Sequence, residues 1–144
     1  MLCPYCLTDT GRLRQIQDEF STRHECSNER CGRPIPASLV ENYAGYPPVV
    51  FSLVGLSGHG KTCYLASLIQ EFEQVGAQWK KFVYTPIDES TMLDVRDKLQ
   101  ALRDGLLPDS TAVAFPEPAI LRMDGIPGLG RLQLYLYDNG GEVF

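Results

Sequence analysis

Apolar runs alternate with glycine- and proline-rich turns along most of this 144-residue chain. The run at 49–54 is short and rich in β-branched residues, which predicts a strand buried on both faces of a parallel sheet. After a glycine-rich turn, hydrophobic residues recur at helical spacing until Gly76 supplies a stop signal. These residues are Leu65, Leu68, Ile69, Phe72 and Val75. The pattern predicts a strand, a loop and a helix.

A second helix is predicted further along the chain. Residues 81–85 form a short strand-like run, and Thr91 followed by Asp94 predicts a capping box that opens a helix over 92–104. Gly105 is expected to end this helix. Its predicted buried stripe consists of Met92, Val95, Leu99 and Leu102.

Two further apolar runs, at 119–123 and 132–137, flank the glycine-rich segment 124–130. A turn of this composition between two strand-like runs predicts an antiparallel hairpin. With the preceding elements, the hairpin predicts an α/β fold.

Composition and charge narrow the class of protein. The chain is 44% hydrophobic and 22% charged, as in soluble globular proteins, and its net charge is −5. Because no Lys/Arg cluster is present, nucleic-acid binding through phosphate neutralisation is disfavoured. The longest strongly apolar run, 49–56, is far shorter than a membrane span, and no signal peptide opens the sequence. We therefore expect a soluble cytoplasmic protein.

Four of the five cysteines fall before residue 32, with the fifth, Cys63, alone. The four are Cys3, Cys6, Cys26 and Cys31. Their two close pairs have nearly the spacing of a zinc ribbon, which predicts a closed, structural Zn²⁺ site. His24 is a rival ligand, although a surface position is the simpler interpretation. Four free cysteines, or a redox pair at Cys3 and Cys6, are the alternatives.

The octet GLSGHGKT at 55–62 matches the phosphate-binding pattern GxxxxGK[ST] between the predicted strand and helix. In such a loop, backbone N–H groups surround phosphate oxygens, the ammonium of Lys61 reaches the β- and γ-phosphates, and the Thr62 hydroxyl ligates Mg²⁺. Asp138, at the end of the last predicted strand, is the candidate second magnesium ligand; a plain strand-end turn residue is the alternative. The side chains of Cys63 and Tyr64 are assigned to packing, and His59 to a solvent-facing position.

By GLSGHGKT at 55–62 and LYLYDNGGE at 134–142, residues 48–144 resemble P-loop GTPases of the translation-factor-related class. The cysteine module and the segment 102–111 look like those of bacterial double-GTPase proteins. This resemblance implies that Thr111, or its neighbour Ser110, completes the Mg²⁺ shell. It also implies that Gly141, three residues after Asp138, senses the γ-phosphate.

The resemblance implies a partial three-layer sandwich of the P-loop NTPase type over 48–144, preceded by a zinc ribbon at 1–36 and a connector at 37–47. It implies GTP or ATP binding and hydrolysis as a molecular switch, with Mg²⁺. Candidate nucleotide-binding residues are Gly55, Ser57, Gly58, His59, Gly60, Lys61, Thr62, Cys63, Asp138 and Gly141, and candidate catalytic residues are Lys61, Thr111 and Glu142.

Glu142 stands where many GTPases place a water-orienting glutamine, so slow hydrolysis is expected. The guanine-reading box of the family is absent from these 144 residues, and the strands near Val49 and Leu132 are therefore expected to leave backbone and apolar surface uncovered. The remainder of such a domain, or a protein partner, would complete the sheet. An ATPase, or a zinc-ribbon adaptor that has lost nucleotide binding, are the rival interpretations.

Overall fold

The computed structural model describes residues 1–18, 21–56, 58, 60–106 and 117–139, and these form a mixed α/β structure with two sheets. The first sheet is antiparallel and lies in the cysteine-bearing part of the chain. Its strands are β1 (Arg14–Asp18), β2 (Ser21–Glu25) and β3 (Pro34–Ile35). A short helix α1 (Ala37–Asn42) and a 3₁₀ turn (Tyr43–Gly45) follow it.

The second sheet has four strands and carries the remaining helices. Its elements in chain order are β4 (Pro48–Leu53), α2 (Lys61–Gln78), β5 (Val83–Pro86), α3 (Glu89–Arg103), β6 (Ala119–Ile126) and β7 (Gly130–Asp138). The spatial order is β4-β7-β6-β5, with β4 parallel to β7 and β6 antiparallel to both of its neighbours. The predicted hairpin is thus confirmed as β6 and β7. None of the helices in the described ranges is both long and apolar enough to cross a membrane.

Helices α2 and α3 cover one face of the four-stranded sheet with an aliphatic core. The buried members of this core are Leu65, Ile69, Phe82, Val95, Leu99, Leu121, Met123, Leu132, Leu134 and Leu136. Because apolar residues three and four apart share one side of a helix, the spacing in α2 and α3 places these side chains against the sheet.

The cysteine module covers the opposite face of the same sheet. Side chains of Ile120, Tyr135 and Tyr137 from β6 and β7 form one buried cluster with side chains of the module. The module contributes Cys3, Cys26, Ile35 and Leu39 to this cluster. The sheet is therefore sandwiched between two helices and the cysteine module, and the two parts share a core that the sequence pattern did not predict.

Strand β4 is not buried on both faces, so that expectation is wrong. The exposed fractions of Val49, Val50 and Val54 are 43%, 40% and 65%. The physical reason is position, since among the described residues β4 pairs with β7 alone and forms an edge of the sheet. The expectation that the strand near Val49 leaves backbone and apolar surface uncovered is confirmed by this edge position. The same expectation for Leu132 is wrong, because β7 is paired on both sides and Leu132 is buried.

The predicted stop of α2 at Gly76 is wrong, because the helix continues to Gln78. A Cβ atom at residue 76 would lie 3.7 Å from the carbonyl oxygen of Phe82, so this glycine packs against the chain that returns toward β5. The helix ends two residues later, where Trp79 N–H donates to the carbonyl of Val75 at 2.8 Å.

Helix α3 begins at Glu89, earlier than predicted, and its N-cap is Asp88. The Asp88 carboxylate accepts a hydrogen bond from the backbone N–H of Thr91 at 2.7 Å, so the predicted capping box at Thr91 and Asp94 is wrong. Only the first member of the predicted buried stripe is wrong, because Thr91 is buried and Met92 is 49% exposed. Val95 and Leu99 are buried and Leu102 is half-buried. Gly105, at φ +69°, ends the helix as predicted.

Candidate functional site

The first candidate site is a cluster of four thiols, to which the structure brings Cys3, Cys6, Cys26 and Cys31. Their sulfur atoms all lie within 4.8 Å of one another, with Cys3 Sγ 4.0 Å from Cys31 Sγ and Cys6 Sγ 3.7 Å from Cys26 Sγ. A tetrahedral Zn²⁺ ion with Zn–S bonds of about 2.3 Å has S···S edges of about 3.8 Å. The donor set and its spacing therefore fit a metal ion such as zinc.

Two tight turns create this geometry. In the first, Leu7 N–H donates to the carbonyl of Cys3 at 2.9 Å, and in the second, Gly32 N–H donates to the carbonyl of Asn28 at 2.9 Å. The residue that follows the last cysteine of each turn is left-handed, with φ of 53° at Leu7 and 55° at Gly32. The two turns therefore present their thiols in a similar way, one from each side.

The electrostatics of the thiol cluster favour a bound cation. Burial raises the pKa of Cys3, and the same cause raises the pKa of Cys26. Burial opposes ionisation of Cys6 as well, but hydrogen bonds from Thr8 and from neighbouring thiols outweigh it and lower its pKa to about 6. Thiolates this close repel one another, so all four can ionise together only if a cation lies between them.

His24 is not a member of the thiol cluster among the described residues. It lies on β2 opposite Gln15 of β1, where its Nδ1 atom is buried and has no hydrogen-bond partner within the described ranges. The side chain is half-buried, so the predicted surface position is wrong. The four cysteines supply the thiol cluster without it.

The second candidate site is the glycine-rich loop between β4 and α2. Gly58 and Gly60 adopt φ of 76° and 73°, which L-residues rarely adopt, and α2 starts directly at Lys61. The ammonium of Lys61 donates to the carbonyls of Gly55 and Leu56, both at 2.8 Å. The lysine thus folds back over its own loop.

The start of α2 borders the glycine-rich loop. In the described part of the chain, no side chain caps this helix, whose N-cap residue is Gly60. The first turn of an α-helix carries N–H groups without helical partners and the positive end of the helix dipole, a combination that favours anions. Of the flanking side chains assigned to packing, Cys63 is half-buried, whereas Tyr64 is 54% exposed because it points away from the core side of α2, so that assignment is wrong for Tyr64.

Asp138 lies beside the glycine-rich loop. It ends β7 and is the register partner of Leu53, the last residue of β4 before the loop, and it is only 7% exposed. The next residue, Asn139, links the ends of β7 and β4 by hydrogen bonds. Its Nδ2 donates to the carbonyl of Leu53 at 3.0 Å and also to Ser52 Oγ. The sequence reasoning missed Asn139, although its place directly after Asp138 was a signal.

Some predicted site residues lie outside the described residues. They are Ser57, His59, Ser110, Thr111, Gly141 and Glu142. The described members of the loop lie between the end of β4 and the first turn of α2, and Asp138 ends the strand β7 that pairs in parallel with β4. These members are Gly55, Gly58, Gly60, Lys61 and Thr62.

Comparisons with family models, with curated proteins and with solved structures found no match to this chain.

Proposed function

We propose that this protein binds a Mg²⁺-nucleoside triphosphate at the loop 55–62 and hydrolyses it as a molecular switch, while a structural zinc ion occupies the four cysteines. The observation that carries the proposal is the position of the octet GLSGHGKT. It joins the end of a strand to the start of an 18-residue helix, and Asp138 ends the neighbouring parallel strand.

Each residue would have a separate part in binding. The backbone N–H groups of the loop and of the first turn of α2 would hold phosphate oxygens. The ammonium of Lys61 donates hydrogen bonds to two loop carbonyls, and it would donate to phosphate oxygens when a nucleotide is bound. The Thr62 hydroxyl and the Asp138 carboxylate are the oxygen donors that would hold Mg²⁺, which supplies charge compensation for the phosphoryl group.

The choice of nucleotide follows from the resemblance to GTPases of the translation-factor-related class, and from the Asp138-x-x-Gly141 spacing in particular. GTP is therefore the proposed nucleotide. The segment that reads guanine in that class has no counterpart in these 144 residues, so we expect weak binding and little discrimination against ATP. Glu142, in place of the usual glutamine, is consistent with slow hydrolysis.

Isothermal titration calorimetry on zinc-loaded protein tests the proposal, with GTP and ATP each titrated with Mg²⁺ and in Mg²⁺-free buffer without a chelator, because a chelator would also remove the zinc. Lys61→Ala should weaken binding by roughly ten- to a hundredfold, the cost of one lost charge-assisted hydrogen bond in a shielded site. Lys98→Ala is the matched control, because Lys98 pairs with Asp94 at 2.9 Å on the surface of α3.

Three results would count against a nucleotide site. They are no binding of either nucleotide in the presence of Mg²⁺, equal losses in Lys61→Ala and Lys98→Ala, and binding that persists unchanged without Mg²⁺. The first of these would favour the adaptor interpretation, in which the zinc module alone is functional.

A further inference from the structure

We infer that the metal-bound cysteine module sets the affinity of the nucleotide site, so that occupancy of the two sites is thermodynamically coupled. The inference rests on the proposed function, since it concerns the regulation of that same site. It is carried by a buried contact that runs from the first metal-binding turn to Tyr137, the residue before the candidate magnesium ligand Asp138.

The first contact runs from the Cys3–Cys6 turn to β7. The hydroxyl of Tyr137 donates a hydrogen bond to the carbonyl of Pro4, which lies between the two cysteines. Tyr137 is 2% exposed, and the next residue along the chain is Asp138. The orientation of the Pro4 carbonyl depends on where Cys3 and Cys6 are held, so a metal ion on these thiols fixes the acceptor of this bond.

The second contact runs from the Cys26–Cys31 turn to the start of β6. Arg33, two residues after Cys31, forms an ion pair with Glu117, and its guanidinium lies 4.1 Å from the centre of the Tyr5 ring. The second turn of the cysteine module is therefore joined to the chain that leads into β6.

The two contacts differ in their expected energetic contribution. The side chains of Arg33 and Glu117 are 40% and 69% exposed, and exposed ion pairs are weak and screened by salt. The Tyr137–Pro4 bond is buried, so loss of the hydroxyl leaves a carbonyl group without a partner and away from water. We therefore assign the coupling mainly to Tyr137, as a residue that positions Asp138.

Coupling of this kind is reciprocal. If a bound metal raises the affinity for nucleotide by some factor, bound nucleotide must raise the affinity for the metal by the same factor. Allosteric coupling in proteins commonly spans about five- to 150-fold. Because a single hydrogen bond carries most of it here, we expect a value near the lower end, about five- to tenfold.

The experiment measures each side of this relation with one probe, the non-hydrolysable analogue guanosine 5′-(β,γ-imido)triphosphate with Mg²⁺. Calorimetry gives its affinity for zinc-loaded wild type, Tyr137→Phe and Tyr135→Phe. Tyr135→Phe is the matched control, because Tyr135 lies on the same strand and in the same cluster, but its hydroxyl donates to Gln133 Oε1 at 3.4 Å. Competition with a chromogenic chelator then gives the zinc affinity with and without the probe.

We expect all three proteins to hold one zinc ion per chain. Tyr137→Phe should bind the probe about five- to tenfold more weakly than wild type, and Tyr135→Phe should match wild type. The probe should also raise the zinc affinity of wild type and Tyr135→Phe by that factor, and leave the zinc affinity of Tyr137→Phe unchanged. A variant that is merely less stable than wild type would still show the rise in zinc affinity when the probe is bound.

Failure of the inference and failure of the proposed function give different results. If wild type binds the probe but its zinc affinity is the same with and without it, the coupling is wrong and the nucleotide site stands. If wild type does not bind the probe at all, both are wrong. The wild-type zinc measurement needs no variant, so it decides the matter even if Tyr137→Phe does not fold.

Discussion

Gly125 offers a sharp test of how β5 and β6 are held together. It lies at a register irregularity of β6, between Asp124 and Ile126, with φ +72°. A Cβ atom at this position would lie 2.0 Å from the carbonyl oxygen of Lys81 and 2.4 Å from its carbonyl carbon. Gly125→Ala therefore adds an overlap with backbone to the strain of a left-handed alanine.

The expected cost has two parts. A non-glycine residue in the left-handed region costs roughly 1–2 kcal/mol, and an overlap that displaces packed backbone costs about 1–3 kcal/mol more. We therefore expect Gly125→Ala to lower the free energy of unfolding by about 2–5 kcal/mol, a large part of the 5–15 kcal/mol that is typical of a domain. Gly128 is the matched control: its φ is +78°, and no described atom outside its immediate neighbours lies within 4 Å of the added Cβ.

Urea unfolding of zinc-loaded protein, followed by far-ultraviolet circular dichroism, measures both variants. Gly128→Ala should lose only the first part, roughly 1–2 kcal/mol. The difference between the two variants then isolates the contact with Lys81. Equal losses in Gly125→Ala and Gly128→Ala would refute the close approach of the β6 bulge to the chain before β5.

Three other predictions concern single side chains. Cys26→Ser should release zinc, and His24→Ala should retain it, because among the described residues Cys26 belongs to the thiol cluster and His24 does not. Elemental analysis in reducing buffer checks this, and zinc loss from His24→Ala would contradict it. Thr62→Ala should weaken the Mg²⁺ dependence of nucleotide binding in calorimetry at several Mg²⁺ concentrations, and an unchanged dependence would remove the hydroxyl from the metal shell. Asp88→Ala should lower the free energy of unfolding by about 1 kcal/mol, because the cap on Thr91 is lost; a thermal melt identical to wild type would exclude that cap.

Local signals in the sequence were sufficient for several elements. The hairpin of β6 and β7 followed from two apolar runs around a glycine-rich turn, and Gly105 ended α3 as its conformational freedom suggests. Each close pair of cysteines is likewise held by one local turn. The meeting of the two turns is not local, because it joins Cys3 to Cys31 and Cys6 to Cys26.

Features that depend on distant contacts were not predicted. Gly76 continues a helix because it packs under Phe82, and no local pattern shows that contact. Thr91 is buried in place of Met92 because it lies four residues before Val95, on the face of α3 that is packed against the sheet. The covering of the second sheet face by the cysteine module was also missed. Tyr137 could have signalled it, since a buried tyrosine hydroxyl requires a hydrogen-bond partner, and here that partner is the Pro4 carbonyl of the cysteine module.

Strand β7 has a different chemistry on each of its two buried faces, and this affects how reliably the chain can fold. Leu132, Leu134 and Leu136 belong to the helix-side core, and Tyr135 and Tyr137 to the cysteine-side cluster. A slip of one residue against β6 would exchange the two faces, placing tyrosine hydroxyls among leucines and leucines beside the thiols. Both cores therefore penalise the same misfolded pairing. The strand that ends in Asp138 is consequently held in one register, which keeps Asp138 opposite Leu53 at the end of β4.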